Sequence, residues 1–319
     1  MQDYAGITAH SLTVSRISVP LMDFQIGRDP VGRAGQVIAA FAYGRGDVAA
    51  AKHKVGVALS ETYLRDHRNM NRGVNADQNR IALLTGFGVV LDGKIPAGLP
   101  PYPALDWLLP PAQGSEIVAQ AMFTVPVDRS SATDFAGVVK TLREKGILPP
   151  GNRTDAETGL LQSDTGEITM DTKANRFTVD TPRLQGAAWE GGTTVELSGL
   201  SLKSSLPCTA ALISLDGRKI GESARLLLVF STDALNSGME LAADRSVLYK
   251  IGTLPVLLET GKLELSLKQS PALRCFALGI DGERLEELPV KRGGTGLAVA
   301  IDTAKLKKGP SLYFEFAER

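Results

Sequence analysis

The second half of this sequence is a succession of short runs in which apolar and polar residues alternate, and this pattern constrains the fold more than any other feature. Ten such runs follow residue 160, among them KLELSLK, GLAVAIDT and SLYFEF. A period of two is typical of strands with one buried face, and many short strands at this spacing indicate a sandwich or a barrel. The sequence therefore predicts an all-β antiparallel sandwich over residues 151–319.

The length left over limits what else the chain can contain. A complete (β/α)8 barrel needs about 250 residues. The chain has 319 residues, and the predicted sandwich uses about half of them. We therefore expect no complete TIM barrel.

Residues 1–150 have the mixed pattern of an α/β region. A helix is predicted after Asp29-Pro30, because aspartate caps helices and proline fits their first turn. KHKVGVALS alternates like a strand, residues 95–115 form a proline-rich connecting arm, and residues 130–146 predict another helix. Proline cannot occupy a helix interior or a central strand, which is why the arm is assigned as a connection.

Charge and apolar content exclude several functional classes. The 35 basic and 35 acidic residues cancel, so nothing favours binding to nucleic acid or to an anionic membrane. No apolar window is long enough for a transmembrane helix. MQDYAGITAH lacks the features of a secretory signal, which predicts a cytoplasmic protein unless a further segment precedes it. Cys208 and Cys275 lie in apolar runs and are expected to be buried thiols, with a disulfide or a reactive thiol as alternatives.

The C-terminal half resembles a known family. GEITMDTKANRFTVDTPRLQG, ARLLLVFSTDALNSGMEL and GTLPVLLETGKLELSL are similar to the C-terminal β-sandwich of large bacterial glycoside-hydrolase-like proteins, related to the clan of the family 42 β-galactosidases. Upstream, VGRAGQVIAAFAYGRGDVAAAKHKVGVALS resembles the segment that follows the barrel of these enzymes, and QDYAGI resembles the end of its eighth strand. The resemblance implies a remnant of a barrel end and a flavodoxin-like partial domain before the sandwich.

The same resemblance implies that the catalytic carboxylates of the family lie upstream of residue 1, so the catalytic residues of this chain stay unknown. His10 would lie at the end of the remnant barrel strand, where side chains reach the active face. Trp107 and Trp189 are interpreted as exposed-loop aromatics able to stack on sugar rings. For Trp107, an alternative is that it anchors the proline-rich arm to a domain.

The densest acidic stretch, TDAETGLLQSDTGEITMD, suggests a cation site. Asp164, Glu167 and Asp171 are closely spaced oxygen ligands in a glycine-containing loop, which suits Ca2+. A solvated linker between domains is the alternative, since the spacing fits no EF-hand. The sequence requires no cofactor, and Ca2+ is the candidate ligand.

Two functions of different classes remain. The first is a glycoside-hydrolase-like protein without its catalytic barrel, in which the sandwich associates with carbohydrate or serves packing and oligomerisation. The second is a free-standing hydrolase of small esters or lactones, with bound Ca2+ polarising a carbonyl in a site between the two domains. Either way, the expected partner is a carbohydrate or small molecule, and oligomerisation is compatible with both.

Overall fold

The computed structural model describes residues 29–59, 76–91, 106–109, 135–243 and 247–318, and these are mostly antiparallel β-strand with few helices. The chain divides into two compact units. One consists of residues 1–48 together with 174–319, and the other of residues 49–173. The chain passes from one unit to the other between residues 48 and 49 and between residues 173 and 174, whereas the sequence predicts a boundary at 150.

The described α-helices are α1 (Pro30–Ala39), α2 (Ala76–Leu84) and α3 (Phe135–Glu144). The strands of the unit 49–173 are β1 (Lys54–Leu59), β2 (Gly86–Leu91), β3 (Trp107–Leu109), β4 (Leu160–Gln162) and β5 (Ile168–Asp171). The strands that follow are β6 (Arg176–Asp180), β7 (Leu184–Trp189), β8 (Thr194–Glu196), β9 (Leu200–Ser204), β10 (Cys208–Ser214), β11 (Arg225–Ser231), β12 (Ala234–Ser237), β13 (Glu240–Leu241), β14 (Leu248–Lys250), β15 (Thr253–Leu258), β16 (Lys262–Leu267), β17 (Arg274–Leu278), β18 (Arg284–Leu288), β19 (Val290–Gly293), β20 (Gly296–Asp302) and β21 (Tyr313–Ala317). Among the described helices, none has the length and apolar character needed to cross a membrane.

Helix α1 begins where the sequence predicts. The Asp29 carboxylate accepts a hydrogen bond from the backbone N–H of Val31 at 2.9 Å, and Pro30 occupies the first turn. The hydrogen bond satisfies one unpaired N–H of the helix start, and Pro30 has no N–H that needs a partner. The helix continues as a π-helical turn to Gly44, and Gly46 then takes a positive φ of 73° that turns the chain away. The predicted cap, helix and glycine stop are confirmed.

The unit 49–173 contains a three-stranded parallel sheet in the order β2-β1-β3. Val55 at the centre pairs with Phe87 on one side and with Trp107 on the other. An apolar core joins Val55 to α2, α3 and β4 through residues such as Ile81, Leu142 and Leu161. Strands β4 and β5 form an antiparallel hairpin in the same unit.

The other unit contains two antiparallel sheets that enclose a common apolar core, as in a β-sandwich. In one sheet the strands run in the order β18-β17-β21-β11-β10-β7-β6, and in the other β19-β20-β16-β9-β8. Phe230, Phe314 and Phe316 from the first sheet share the core with Leu265 and Val299 from the second.

The two sheets differ in how far their strands are buried. Leu263, Leu265 and Leu267 of β16 are buried, and the residues between them are exposed, as the alternation predicts. In contrast, every residue of β7 and β10 is buried. Helix α1 contacts β11 in the same sheet. One face of β11 lines the core, so the helix covers the opposite, outer face of this strand. The neighbouring strands are continuous apolar runs in the sequence.

In the sequence, Asp216-Gly217 and Asp281-Gly282 each lie between two alternating runs and so predict tight hairpins, and the two pairs have different outcomes. Asp281-Gly282 lies between β17 and β18, which pair down to Leu278 and Arg284, so this hairpin is confirmed. Strands β10 and β11 on either side of Asp216-Gly217 also form an antiparallel hairpin, but residues 215–224 form a longer connection that includes a short 3-10 helix, so the turn is not tight. The Asp216 side chain organises this connection instead of a two-residue turn.

Asp216 makes the connection sensitive to acid. Burial raises the pKa of its carboxyl, but hydrogen bonds from the Ser223 hydroxyl and from the backbone N–H groups of Ala224 and Arg218, with Ser214, outweigh this and lower the pKa from 3.8 to about 2. A carboxyl with a lowered native pKa stabilises the fold above its unfolded pKa, and the stabilisation disappears as the pH falls toward the native pKa.

Asp216→Asn is therefore expected to lower the melting temperature at pH 6, and the difference from the wild type should shrink as the pH falls from about 4 to 2. Thermal unfolding followed by circular dichroism over this range measures it. Ser223→Ala, which removes one donor, should give an intermediate pH dependence. A difference that stays constant down to pH 2 would contradict this role for Asp216.

Both cysteines are buried free thiols, which confirms the prediction made from their apolar surroundings. Cys208 and Cys275 belong to the core between the two sheets. Burial raises the pKa of each thiol to about 12. A thiol reacts as the thiolate, so neither residue is suited to nucleophilic chemistry in the folded protein.

Candidate functional site

An open cavity of about 440 Å³ lies where the chain passes from one sheet of the sandwich to the other. Strand β18 is at the edge of the first sheet, β19 is at the edge of the second, and Pro289 joins them. The cavity volume is in the range of small-ligand sites. Its walls are formed by the apolar residues Leu273, Leu288, Pro289 and Val290 and by the charged residues Arg274, Glu287 and Arg292.

The charged groups of this cavity are held in defined positions. The Arg274 guanidinium donates to Glu287 with both of its arms, one bond of 2.7 Å from Nε to Oε1 and a second from Nη2 to Oε2. The hydrogen bond from Arg274 lowers the pKa of Glu287, so this carboxyl is ionised at neutral pH. Arg292 Nη2 donates to the carbonyl oxygen of Leu273 at 2.6 Å. This bond uses one of the five N–H donors of the guanidinium.

The outer face of the sheet beside the cavity is fixed by a second charged group. The guanidinium groups of Arg274 and Arg284 lie over the ring of Phe276, at 5.0 and 4.1 Å from its centre. Arg284 and Arg225 both donate to Glu315, at 2.6 and 2.5 Å. Burial raises the pKa of Glu315, but these hydrogen bonds outweigh it and the net shift is downward. The strand that carries Arg274 is therefore anchored by aromatic and ionic contacts.

Trp189 is not the exposed aromatic that the sequence predicts. It is the last residue of β7, only 1% of its surface is exposed, and it belongs to the core between the sheets. Its strand partner is Cys208, whose side chain faces the same core. Trp189 therefore fills space in the core and cannot stack on a sugar in this conformation.

For Trp107 and His10, the other two predicted substrate-binding residues, the structure describes no side chain. Trp107 is the first residue of β3 in the parallel sheet, so the proline-rich arm includes a strand at this point. Its side chain lies outside the described residues. His10 lies outside them entirely, and its role stays a prediction.

Asp164, Glu167 and Asp171 lie in and beside the β4–β5 hairpin, but each has a different environment. Asp164 is 1% exposed. Glu167 Oε2 accepts from the backbone N–H of Ala49 at 2.7 Å, and Asp171 ends β5. Within the described ranges, no three Asp, Glu, His or Cys side chains are grouped to hold a metal ion. The Ca2+ site stays a prediction.

Asp164 ties several segments of its unit together. Its Oδ2 atom accepts from the backbone N–H groups of Lys52 and His53, at 2.9 and 3.0 Å, and from the Thr85 hydroxyl at 2.9 Å. Its own N–H donates to the carbonyl oxygen of Leu84 at 2.6 Å. The carboxylate therefore fixes the starts of β1 and β2 and the end of α2. Its Oδ1 atom is buried without a hydrogen-bond partner among the described residues.

A histidine–aspartate pair lies beside Asp164. His53 Nδ1 is 3.5 Å from Asp106 Oδ1, and the two side chains are 33% and 40% exposed. Asp106 also accepts from the backbone N–H of Lys54 at 2.7 Å, and this bond, ahead of the contact with His53, lowers the pKa of the carboxyl. The pair is at the amino edge of the parallel sheet, whereas ligands of open α/β sheets bind at the carboxyl edge.

No local sequence pattern singles out Arg274, Glu287 or Arg292. The Asp281-Gly282 turn implies that the strands on either side of it pair, which brings the residues around Arg274 and Glu287 together. Arg292 lies in the other sheet, and no local pattern predicts where the two sheet edges meet.

Comparisons of the chain with protein-family models, with curated proteins and with solved structures find no match.

Proposed function

We propose that this chain is a glycoside-hydrolase-like protein without a complete catalytic barrel, and that its β-sandwich associates with carbohydrate through the cavity between β18 and β19. The cavity is the observation that carries the proposal. It combines two guanidinium groups and a carboxylate with an apolar wall, in the volume range of a small ligand.

This combination matches the chemistry of a sugar ring. Sugars present hydroxyl groups around their edge, which both donate and accept hydrogen bonds, and C–H groups on their faces. Glu287 accepts and Arg292 donates, while Pro289 and Leu288 offer an apolar surface. Because the cavity is open and small, the contacts support weak binding, with a Kd on the order of 1 mM for a mono- or disaccharide.

The arrangement of the other unit is in keeping with the family resemblance. The order β2-β1-β3 is the order in which a flavodoxin-like sheet begins. An α/β region of this kind before a sandwich is what the resemblance implies. The catalytic carboxylates of the family would lie outside this chain, so we expect sugar binding without glycosidase turnover.

The test of this proposal is binding of soluble oligosaccharides and polysaccharides to the full chain, measured by calorimetry and affinity electrophoresis. Arg292→Ala is expected to weaken binding at least about tenfold, because it removes a charged donor from the site. Lys291→Ala is the matched control, since Lys291 is the adjacent residue of the same strand and does not line the cavity. It should bind like the wild type.

Two results would overturn the proposal. One is the absence of binding to any of a broad set of neutral, acidic and amino sugars at 10-fold the expected Kd. The other is binding that Arg292→Ala and Glu287→Gln leave unchanged, which would place the sugar elsewhere. Robust release of the aglycone from aryl glycosides would show that the chain has a catalytic site of its own.

The His53–Asp106 pair favours a second function, hydrolysis of small esters or lactones. A carboxylate on Nδ1 orients an imidazole so that its other nitrogen can accept a proton from an attacking water. In this proposal, His53 acts as the general base and Asp106 positions it. The Ca2+ carboxylates Asp164, Glu167 and Asp171 offer the alternative way to activate water, through a bound cation.

These two forms of hydrolysis are separated by one set of assays on aryl esters and lactones. If the pair acts, His53→Gln abolishes activity, Asp106→Asn lowers it about 10-fold or more, and a chelator has no effect. If Ca2+ acts, the chelator abolishes activity and added Ca2+ restores it. Activity that survives the chelator and every one of these substitutions would contradict both.

A further inference from the structure

A separate feature of the sandwich unit is the long connection between β11 and β16. Residues 234–243 and 247–258 include two small antiparallel ribbons, β12 with β15 and β13 with β14, and we call these residues the β-arm. Neither ribbon belongs to the two large sheets. A two-stranded ribbon is at best marginally stable in water without a surface to pack against.

The β-arm is also where large apolar side chains face solvent. Six such side chains are exposed in the part of the chain that the structure describes, and one of them, Ile280, lies in the β17–β18 turn. The other five are in the β-arm: Val247 at 48%, Tyr249 at 69%, Ile251 at 43%, Leu254 at 75% and Leu257 at 55%. Single exposed apolar residues need no explanation, but five of the six described ones fall within one short segment, which makes this segment the candidate interaction surface.

Charge decides which kind of surface would cover this patch. Among the described residues of the ribbons, Lys250 pairs with Glu240 at 3.2 Å, and the two side chains are 62% and 61% exposed. The patch is thus bordered by one positive and one negative group, without the basic cluster that an anionic lipid surface requires. The chain as a whole has a formal net charge of zero, so two copies do not repel one another.

We propose that the β-arm is a self-association surface, and that a second copy of this chain covers its apolar side chains. In a twofold arrangement the same patch meets itself, so Glu240 of one copy can face Lys250 of the other while Lys250 faces Glu240. Glu240 and Lys250 provide such a pair on every copy. Tyr249, Leu254 and Leu257 form the apolar contact between the two arms.

The size of the patch fits a reversible dimer. Five side chains exposed to this degree offer on the order of 500 Å² of apolar surface per copy. A stable interface buries about 800 Å² per partner, so the arm and its polar border provide somewhat less than a standard one. We expect a dimer that dissociates in the micromolar range.

Sedimentation velocity of the full chain between about 1 and 200 μM measures this equilibrium. The wild type should shift from monomer to dimer over that range. Tyr249→Glu with Leu257→Glu places like charges in the contact and should weaken dimerisation at least about 30-fold. Ile280→Glu is the matched control, because it changes a side chain with 63% exposure outside the arm, and it should dimerise like the wild type.

A charge-exchange experiment separates a direct contact from a structural effect. Glu240→Lys and Lys250→Glu each put like charges opposite one another in a homodimer, so each variant alone should dimerise more weakly than the wild type. Mixing the two variants brings opposite charges together again and should restore the dimer. A change that merely perturbed the ribbon would show no recovery in the mixture.

Three results would overturn the proposal: a wild type that stays monomeric at 200 μM, a dimer that the double arm variant leaves intact, or a dimer that Ile280→Glu disrupts equally. A monomer that instead co-sediments with phosphatidylcholine vesicles through the arm would identify a lipid surface as the occupant. Sugar binding at the Arg292 cavity does not enter this test, so either proposal can fail without the other.

Discussion

Gly186→Ala is expected to destabilise the sandwich by about 3 kcal/mol or more, although it adds only one methyl group. Gly186 lies in the middle of β7, between Val179 of β6 and Ala211 of β10. A Cβ at this position would be 2.8 Å from Ala210 O and 2.8 Å from both Cα and Cβ of Ala211. None of these atoms is the end of a flexible side chain, so the strands themselves would have to separate.

Gly293→Ala is the control for this substitution. Gly293 ends strand β19 in the other sheet, and a Cβ built there meets no atom within 4 Å. The change should alter the free energy of unfolding by no more than about 0.5 kcal/mol. Urea unfolding followed by fluorescence measures both variants. Equal stability of the two alanine variants would show that β7 and β10 are not as closely spaced as described.

Asp164→Ala is expected to destabilise the unit 49–173 by about 3 kcal/mol. The carboxylate is buried and accepts three hydrogen bonds, from two backbone N–H groups and the Thr85 hydroxyl. Removing the acceptor leaves the backbone N–H groups of Lys52 and His53 without a partner, while the Thr85 hydroxyl can still donate to the carbonyl oxygen of His53. A buried unpaired donor loses its full hydration free energy. Hydrogen exchange of the amides of Lys52 and His53 should accelerate in the variant, which locates the effect in this unit.

Glu167→Ala is the matched control, since Glu167 accepts one exposed backbone hydrogen bond in the same unit. It should cost less than about 1 kcal/mol. Repeating both measurements with Ca2+ and with a chelator tests the cation prediction as well. A melting temperature that rises with Ca2+ in the wild type but not in Asp164→Ala would support a cation site. An Asp164→Ala protein as stable as the wild type would contradict the structural role.

Local signals in the sequence were sufficient for the local elements. Asp29 and Pro30 predict the start of α1 because the cap involves only its own first turn. The leucines of β16 predict a strand because one of its faces is buried and the other is not. Short-range rules of this kind depend only on residues a few positions apart, so one sequence contains all the information they need.

The features that the sequence missed depend on distant residues. Trp189 is buried because other strands of both sheets close around it, and nothing near it in the sequence indicates this. The Asp216-Gly217 pair predicts a tight turn, but the Asp216 partner Ser223 lies beyond a 3-10 helix. The cavity requires Arg274 and Arg292 from the edges of different sheets. Pairings between sheets follow from topology, which the local pattern does not encode.

Because the sandwich unit is built from two separate stretches of the chain, its parts are synthesised at different times. Helix α1 contacts β11, and Asp47 forms an ion pair with Arg183 at 3.0 Å. Both partners are synthesised only after the whole of residues 49–173 has been added to the chain. At 5–20 residues per second, helix α1 is synthesised about 10–40 s before the strand that it packs against. During that interval its apolar face is open to chaperones, and deleting the helix would leave the finished sheet with that face uncovered.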